Sequence, residues 1–180
     1  MSTSQGKNVT IEATYMGMPV QLNDHEVENQ AYFSYCASHR FRLQQCIDCQ
    51  LLRYPPTTAC PFCASASAQW VPVEGRGEIH SYTEVHHAIQ PAFKAHVPYC
   101  VLLVDLDVQR GIPEPGTALR VVGNFCGPDG TLAPADRIDS IGIGTRVRMV
   151  FSDLAPGLSL PQWTIDEAAK QPGPPWRPPA

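Results

Sequence analysis

Cys46-Ile47-Asp48-Cys49, followed ten residues later by Cys60-Pro61-Phe62-Cys63, is the stretch that decides how this 180-residue chain folds. Each C-x-x-C pair can turn as a tight knuckle whose two sulfurs face one cation. Two such pairs complete a tetrahedral thiolate shell with metal–sulfur distances near ~2.3 Å. Between them Tyr54-Pro55-Pro56 turns the chain, and the loop is long enough to bring the second knuckle over the first. The spacing predicts a bound metal rather than four cysteines that merely pack. Four-thiolate geometry by itself admits zinc or iron. Zinc is the expectation, because a ribbon beside a β-barrel has no evident electron-transfer partner. Four thiolates close the coordination shell, so the role is structural. Gln50 and Ala64 stand where a glycine often follows the second cysteine of a knuckle. A left-handed backbone there costs more without glycine.

Upstream, Phe41 to Cys46 alternates as a strand and delivers the first cysteine. Asn23, with Glu26 three residues on, reads as a helix start in which the Asn side chain caps a free N–H. That helix is expected to run to about Ser38 with Val27, Ala31 and Tyr35 on its buried stripe. Residues 1–22 pattern weakly and are expected to be a flexible arm, although Val9 to Tyr15 has the makings of an edge strand.

Downstream of Trp70 the texture is all-β. Glu78 to Val85 alternates, with Ile79, Ser81, Thr83 and Val85 on one face. Tyr99 to Leu106 is apolar on both faces, as inside a closed barrel. Leu119 to Phe125, Arg146 to Phe151 and Leu160 to Ile165 supply further strands, with Val147, Met149 and Phe151 inward and both arginines outward. Gly127-Pro128-Asp129-Gly130 makes a turn. Short strands at this spacing fit a small Greek-key barrel of the OB type, and a small sandwich would leave similar traces. The chain therefore divides into an arm (1–22), a helical segment (23–40), a zinc ribbon (41–70), an OB-fold barrel (71–166) and a Pro-rich tail (167–180), mainly β throughout. The tail favours polyproline geometry, and its Trp176 seeks a surface to dock on.

Composition narrows the function classes. The net charge is −4, whereas a protein that neutralises nucleic-acid phosphates carries a basic surplus. No apolar run approaches the ~20 residues of a membrane helix, and the polar N-terminus has no signal-peptide core. A cytoplasmic address is the expectation. Seven cysteines, an odd number without an export signal, argue against a disulfide framework. Cys36, Cys100 and Cys126 sit among apolar or aromatic neighbours, and Cys100 and Cys126 read as packing residues rather than nucleophiles. His86 and His87 are either contacts to a substrate or partner, or a solvent-facing loop. Arg40, Arg42, Arg53 and Arg76 surround the ribbon. They are candidates to clamp coenzyme A phosphates, with Tyr54 or Trp70 stacking on adenine, or are ordinary solvated arginines. No nucleophile-elbow, phosphate-loop, dinucleotide-binding or H-E-x-x-H pattern occurs.

The run Cys46-x-x-Cys49, Tyr54-Pro55-Pro56, Cys60-Pro61-x-Cys63 and Trp70-x-Pro72-x-x-Gly75-x-Gly77-x-Ile79-x-Ser81-Tyr82-Thr83 closely resembles the acyl-CoA-associated OB-fold family with a rubredoxin-like zinc ribbon. Further matches are His86-His87, Pro91-Ala92-Phe93, Pro98-Tyr99 and Ile143-Gly144-x-x-Val147, so the resemblance spans residues 24–155. It implies a helical segment, a ribbon with Cys46, Cys49, Cys60 and Cys63 as zinc ligands, and a barrel. It also implies a partner role. Members of the family look like small subunits of thiolase-superfamily enzymes (β-ketothiolases, acyltransferases and aldolases), or accompany hot-dog-fold enoyl-CoA hydratases. It places no catalytic residue here. The expectation is a non-catalytic subunit of a hetero-oligomer whose thiolase-like partner acts on a CoA thioester, with His86, His87, Phe93 and Trp176 facing that partner or its substrate. Two rivals are a nucleic-acid-binding ribbon–OB module and a self-sufficient CoA enzyme using His86 or His87.

Overall fold

Residues 9–177 are described by a computed structural model, and their order begins with a hairpin of β1 (Ile11–Tyr15) and β2 (Met18–Leu22). The antiparallel register pairs Ile11 with Leu22 and Tyr15 with Met18, leaving a two-residue loop. Both loop residues, Met16 and Gly17, have positive φ (50° and 76°), the arrangement whose twist matches the flanking strands. The flexible arm expected over 1–22 is thus corrected from Ile11 onward; residues 1–8 lie outside the described residues.

The helix α1 spans Val27–Ala37, shorter than expected, and Asn23 does not cap it. The bonding is reversed: the Glu26 carboxylate accepts from the Asn23 backbone N–H (3.1 Å) and side-chain amide (3.2 Å). Its buried stripe is Tyr32 and Cys36, while Val27 is 58% exposed. Aromatic packing sets this rotation. Tyr32 meets Phe33, Phe41, Tyr54 and Trp70 at ring separations of 5.2–6.4 Å, contacts that outweigh burying Val27. One face-up residue ties the helix to the hairpin: the Gln30 carboxamide donates to the carbonyls of Val9 (2.9 Å), Asn23 (2.9 Å) and Leu22 (3.4 Å).

Next come β3 (Arg42–Cys46), β4 (Leu52–Arg53) and β5 (Ala68–Pro72), an antiparallel sheet with β3 in the middle. The remaining strands are β6 (Arg76–Val85), β7 (Tyr99–Leu106), β8 (Arg120–Asn124), β9 (Arg146–Ala155) and β10 (Leu158–Ile165). They form one sheet in the order β10-β9-β6-β7-β8, antiparallel throughout. A parallel bridge between Phe125 and Trp163 brings the two end strands together, closing the five-stranded Greek-key barrel of an OB fold. Its interior holds Ile79, Leu102, Val104, Val121, Val147 and Trp163, all fully buried.

Two expected faces change. A bulge between Ile79 and Ser81 in β6 shifts the register by one, so Ser81 and Thr83 turn to solvent while Tyr82 packs on the core. An extra residue inverts every side chain beyond it. In β9, Val147 points inward as expected, yet Val150 is buried as well because strand and helix cover both faces of that segment.

The ribbon shares the barrel's core through Phe41, Leu43 and Leu52, and a carboxamide adds a polar tie. Gln109, in the loop after β7, accepts the Leu52 N–H (2.6 Å) and donates to the Leu52 carbonyl (3.0 Å). The Pro-rich tail is docked on the barrel too. Ile143 N–H bonds the Trp176 carbonyl (3.0 Å), and Arg177 reaches the carbonyls of Ile138 and Ile141 and pairs with Glu84 and Asp139. The backbone of the tail is therefore held while the Trp176 ring stays mostly exposed. Among the described residues no helix is long and apolar enough to cross a membrane.

Close approach of strands fixes Gly77 in β6, where a Cβ would stand 2.3 Å from the Asp105 carbonyl oxygen and 2.7 Å from Val104. Backbone cannot yield as a flexible side chain does. Gly77→Ala is expected to cost ~2–3 kcal/mol of stability, read as a lowered denaturation midpoint with an unchanged slope.

Candidate metal centre

Two knuckles with the same hydrogen-bond plan face each other across the ribbon. In the first, Gln50 N–H bonds the Cys46 carbonyl (3.1 Å) and Cys46 N–H bonds the Leu51 carbonyl (3.0 Å). In the second, Ala64 N–H bonds Cys60 (2.8 Å) and Cys60 N–H bonds Ser65 (2.8 Å). Gln50 and Ala64 both sit at φ 62°, the left-handed geometry anticipated at these positions. The turns aim four sulfurs at one point. Sγ of Cys46 lies 3.6 Å from that of Cys63, Sγ of Cys49 lies 3.6 Å from that of Cys60, and all four are within 4.8 Å of one another. A tetrahedron with ~2.3 Å metal–sulfur bonds has edges of ~3.8 Å, so the donor set fits a structural zinc.

Electrostatics pull the sulfurs of this centre in opposite directions, lowering Cys46 and Cys60 and raising Cys49 and Cys63. The backbone N–H of Cys49, helped by that of Asp48, lowers the Cys46 thiol. Burial opposes ionisation of Cys60, yet the N–H groups of Phe62 and Cys63 overcome it and bring the thiol down to about 6. Cys49 receives an N–H bond from Leu51, but burial and the Cys60 sulfur beside it push its thiol up to about 12. A cation resolves this conflict between neighbouring sulfurs by neutralising them together.

The loop between the knuckles is braced from inside. Gln44 Oε1 accepts from Arg53 Nε (2.8 Å) and from the Thr57 N–H (2.9 Å), and Arg53 Nη2 donates to the Thr57 carbonyl (2.9 Å). Arg53 is thus buried and engaged within the ribbon. Of the other residues considered for coenzyme A, Arg40 is exposed and lines a groove with Arg42, Met149 and Phe151. The Arg42 guanidinium stands 5.1 Å over the Tyr35 ring and donates to the Trp70 carbonyl (3.2 Å). Tyr54 and Trp70 belong to the aromatic cluster around Tyr32, and Arg76 pairs with Glu74 and Asp166. Arg40 and Arg42 come together; Arg53 and Tyr54 lie elsewhere.

His86 and His87 are exposed, with His86 Nε2 3.0 Å from Glu84, the carboxylate that also pairs with Arg177 of the tail. Histidine and tail therefore share one surface. Phe93 packs edge-on against Tyr99 at 6.4 Å. Gln44 and Gln109 were missed by sequence reasoning; a glutamine inside a strand or loop carries no pattern that announces a brace.

The three cysteines outside the metal centre are buried thiols rather than activated nucleophiles. Burial pushes the thiols of Cys36, Cys100 and Cys126 up to about 12 in each case. Ser159, Asp153 and His39 do meet, but Ser159 donates to Asp153 (2.6 Å), which also faces His39 (2.8 Å). The carboxylate is in the middle, so the histidine cannot take the serine proton as a triad requires.

Fold and site together define a zinc-ribbon protein with an OB-fold barrel. Residues 33–68 match the family described as the ChsH2 rubredoxin-like zinc ribbon domain, and residues 70–152 match the ChsH2 C-terminal OB-fold domain. The chain belongs to this ChsH2 zinc-ribbon and OB-fold family. A solved structure described as the Ltp2–ChsH2(DUF35) aldolase is 31% identical with a TM-score of 0.58, over 77% of this chain and 94% of that one. A probable enoyl-CoA hydratase alpha subunit from Thermomonospora curvata is 35% identical over 134 residues, 74% of this chain and 36% of its own length. The 3-oxo-4,17-pregnadiene-20-carboxyl-CoA hydratase alpha subunit of Mycobacterium tuberculosis is 32% identical over 130 residues, 72% of this chain and 35% of its own. The chain thus spans about a third of the length of the curated relatives it matches.

Two substitutions test the centre. Cys46→Ser removes a ligand and is expected to abolish stoichiometric zinc by elemental analysis. At a cost on the order of 3 kcal/mol, it lowers the melting temperature by ~6–12 °C. Ala64→Gly acts oppositely. It relieves a left-handed strain of ~1–2 kcal/mol, less the glycine entropy cost of ~0.5–1 kcal/mol, and is expected to raise stability by ~0.5–1 kcal/mol with zinc content unchanged.

Proposed function

We propose that this chain is a non-catalytic, zinc-stabilised OB-fold subunit of a hetero-oligomeric enzyme that makes or breaks a carbon–carbon bond in a CoA thioester. The observation that carries this reading is the coordinatively closed four-thiolate centre in a chain whose other thiols are buried and protonated. Such a metal offers no site for substrate or water. Support for a partner comes from the solved relative described as an Ltp2–ChsH2 aldolase, 94% of whose matched chain is covered at 31% identity. In this reading the partner is thiolase-like, of aldolase, β-ketothiolase or acyltransferase type, and supplies nucleophile and acid–base groups. This subunit positions it, with His86, His87, Phe93 and Trp176 toward the interface and Arg40 and Arg42 toward the coenzyme A phosphates. Positioning matters because small misplacements of reacting groups are costly.

A second reading, partnership with a hot-dog-fold enoyl-CoA hydratase, is favoured by the two relatives named as hydratase alpha subunits. Co-expression with candidate thiolase-like and hydratase-like proteins of the same source separates the two. The chain alone is expected to show no measurable turnover of acyl-CoA thioesters. The true partner is expected to co-purify and to gain at least tenfold in kcat/KM when the chain is added. Thioester turnover by the purified chain alone at a rate matching the mixture would overturn the proposal.

A further inference from the structure

A cleft of about 230 Å³ lies where the N-terminal hairpin and α1 meet the outer wall of β8 and β10. The metal centre does not use it. Its walls include Tyr32, Phe33, Val122 and Pro161, and its polar groups are Tyr15, Asn124 and Gln162. None of its lining residues carries a charge.

The polar groups are organised in one direction. Gln162 Oε1 accepts the Asn124 backbone N–H (2.6 Å), which fixes the carboxamide so that its Nε2 points at Tyr15 (2.9 Å). Asn124 Nδ2 donates to the same phenolic oxygen (2.8 Å). Tyr15 oxygen thus accepts two N–H bonds and retains one O–H to give. No acceptor for that proton is found among the described residues. Burial, the largest influence, raises the Tyr15 pKa, so the hydroxyl remains a neutral donor. A second polar atom is left over: the Tyr32 hydroxyl is buried at 2% exposure and has no hydrogen-bond partner. Tyr54 and Cys36 lie near enough to influence its ionisation, which burial dominates, without reaching bonding geometry. Buried polar groups without partners mark places where a ligand or water completes the bonding.

We propose that this cleft is a binding site for a small, neutral, apolar ring or chain end bearing a carbonyl oxygen, which accepts the Tyr15 O–H. The aromatic and aliphatic walls supply area, the absence of charge excludes ions, and the prearranged hydroxyl supplies orientation. The volume is below the ~300–1,000 Å³ of a drug-sized pocket, so it takes one ring system and leaves the rest of a longer molecule outside. Tyr15 and Gln162 lie outside the two family-matched segments, 33–68 and 70–152. The inference does not rest on the proposed subunit role.

The test is a titration of the full chain with 1-indanone and with indane, its counterpart lacking the carbonyl, followed by amide NMR shifts. Wild type is expected to bind 1-indanone about fivefold or more tightly than indane, the worth of one hydrogen bond, with shifts at Gly123, Asn124 and the Gln162 side chain. Tyr15→Phe is expected to bring 1-indanone down to the affinity of indane and leave indane unchanged. Val122→Trp, at a position 48% exposed and so tolerant of size, is expected to abolish both and serves if Tyr15→Phe unfolds. Equal affinity of the two probes in wild type, or shifts confined to other surfaces, would overturn the proposal.

Discussion

Four sulfurs cannot be held within bonding reach of one another as anions unless a cation lies between them, and the ribbon is arranged around that constraint. It dictates the two knuckles, their matching hydrogen bonds, and the left-handed backbone that Gln50 and Ala64 adopt without the help of glycine. It also explains why the loop from Gln50 to Ala59 needs its own interior brace. Gln44 and Arg53 keep that loop in place, so the second knuckle arrives at the first with little freedom left to lose. Through β3 and Gln109 the same rigidity reaches the barrel. The metal centre thereby stiffens the ribbon where it meets the barrel.

Much of this was legible in the sequence because ligand geometry is local. Two residues between paired cysteines nearly determine a knuckle, whatever the remainder of the chain does. The apolar run of β7 likewise announced a strand inside a barrel, since Cys100, Leu102, Val104 and Leu106 fill one face and the alternate residues are partly covered. What escaped was tertiary. The bulge at Ile79–Ser81 adds one residue that alternation cannot detect, and it exchanged the roles of Ser81 and Tyr82. The hairpin hid in a weak pattern because its turn, Met16-Gly17, has methionine at the first left-handed place, where Asn, Asp or Gly gives the usual signal. Helix rotation escaped for a third reason: Tyr32 is oriented by three aromatic rings that come from other segments, Phe41, Tyr54 and Trp70.

The candidate site residues divide along the same line. Cysteine ligands converge because a metal demands it, whereas the arginines around the ribbon answer to separate local needs. Arg53 is consumed by Gln44 and Thr57, and Arg42 leans on Tyr35, leaving Arg40 with its full donor set toward solvent. Arginine is selected for planar, multiple hydrogen bonds, and those serve a loop as readily as a phosphate. Residue type in a sequence cannot separate the two uses.

Gln30 joins three carbonyls on either side of the hairpin with one carboxamide. Hairpin and helix are consequently joined at the open end of the hairpin, while at its closed end the Tyr15 phenol is held by Asn124 and Gln162 of the barrel wall. The hairpin is thus clamped at both ends by carboxamides, one from the helix and two from the barrel, so the phenol keeps its place without any contact to the metal centre.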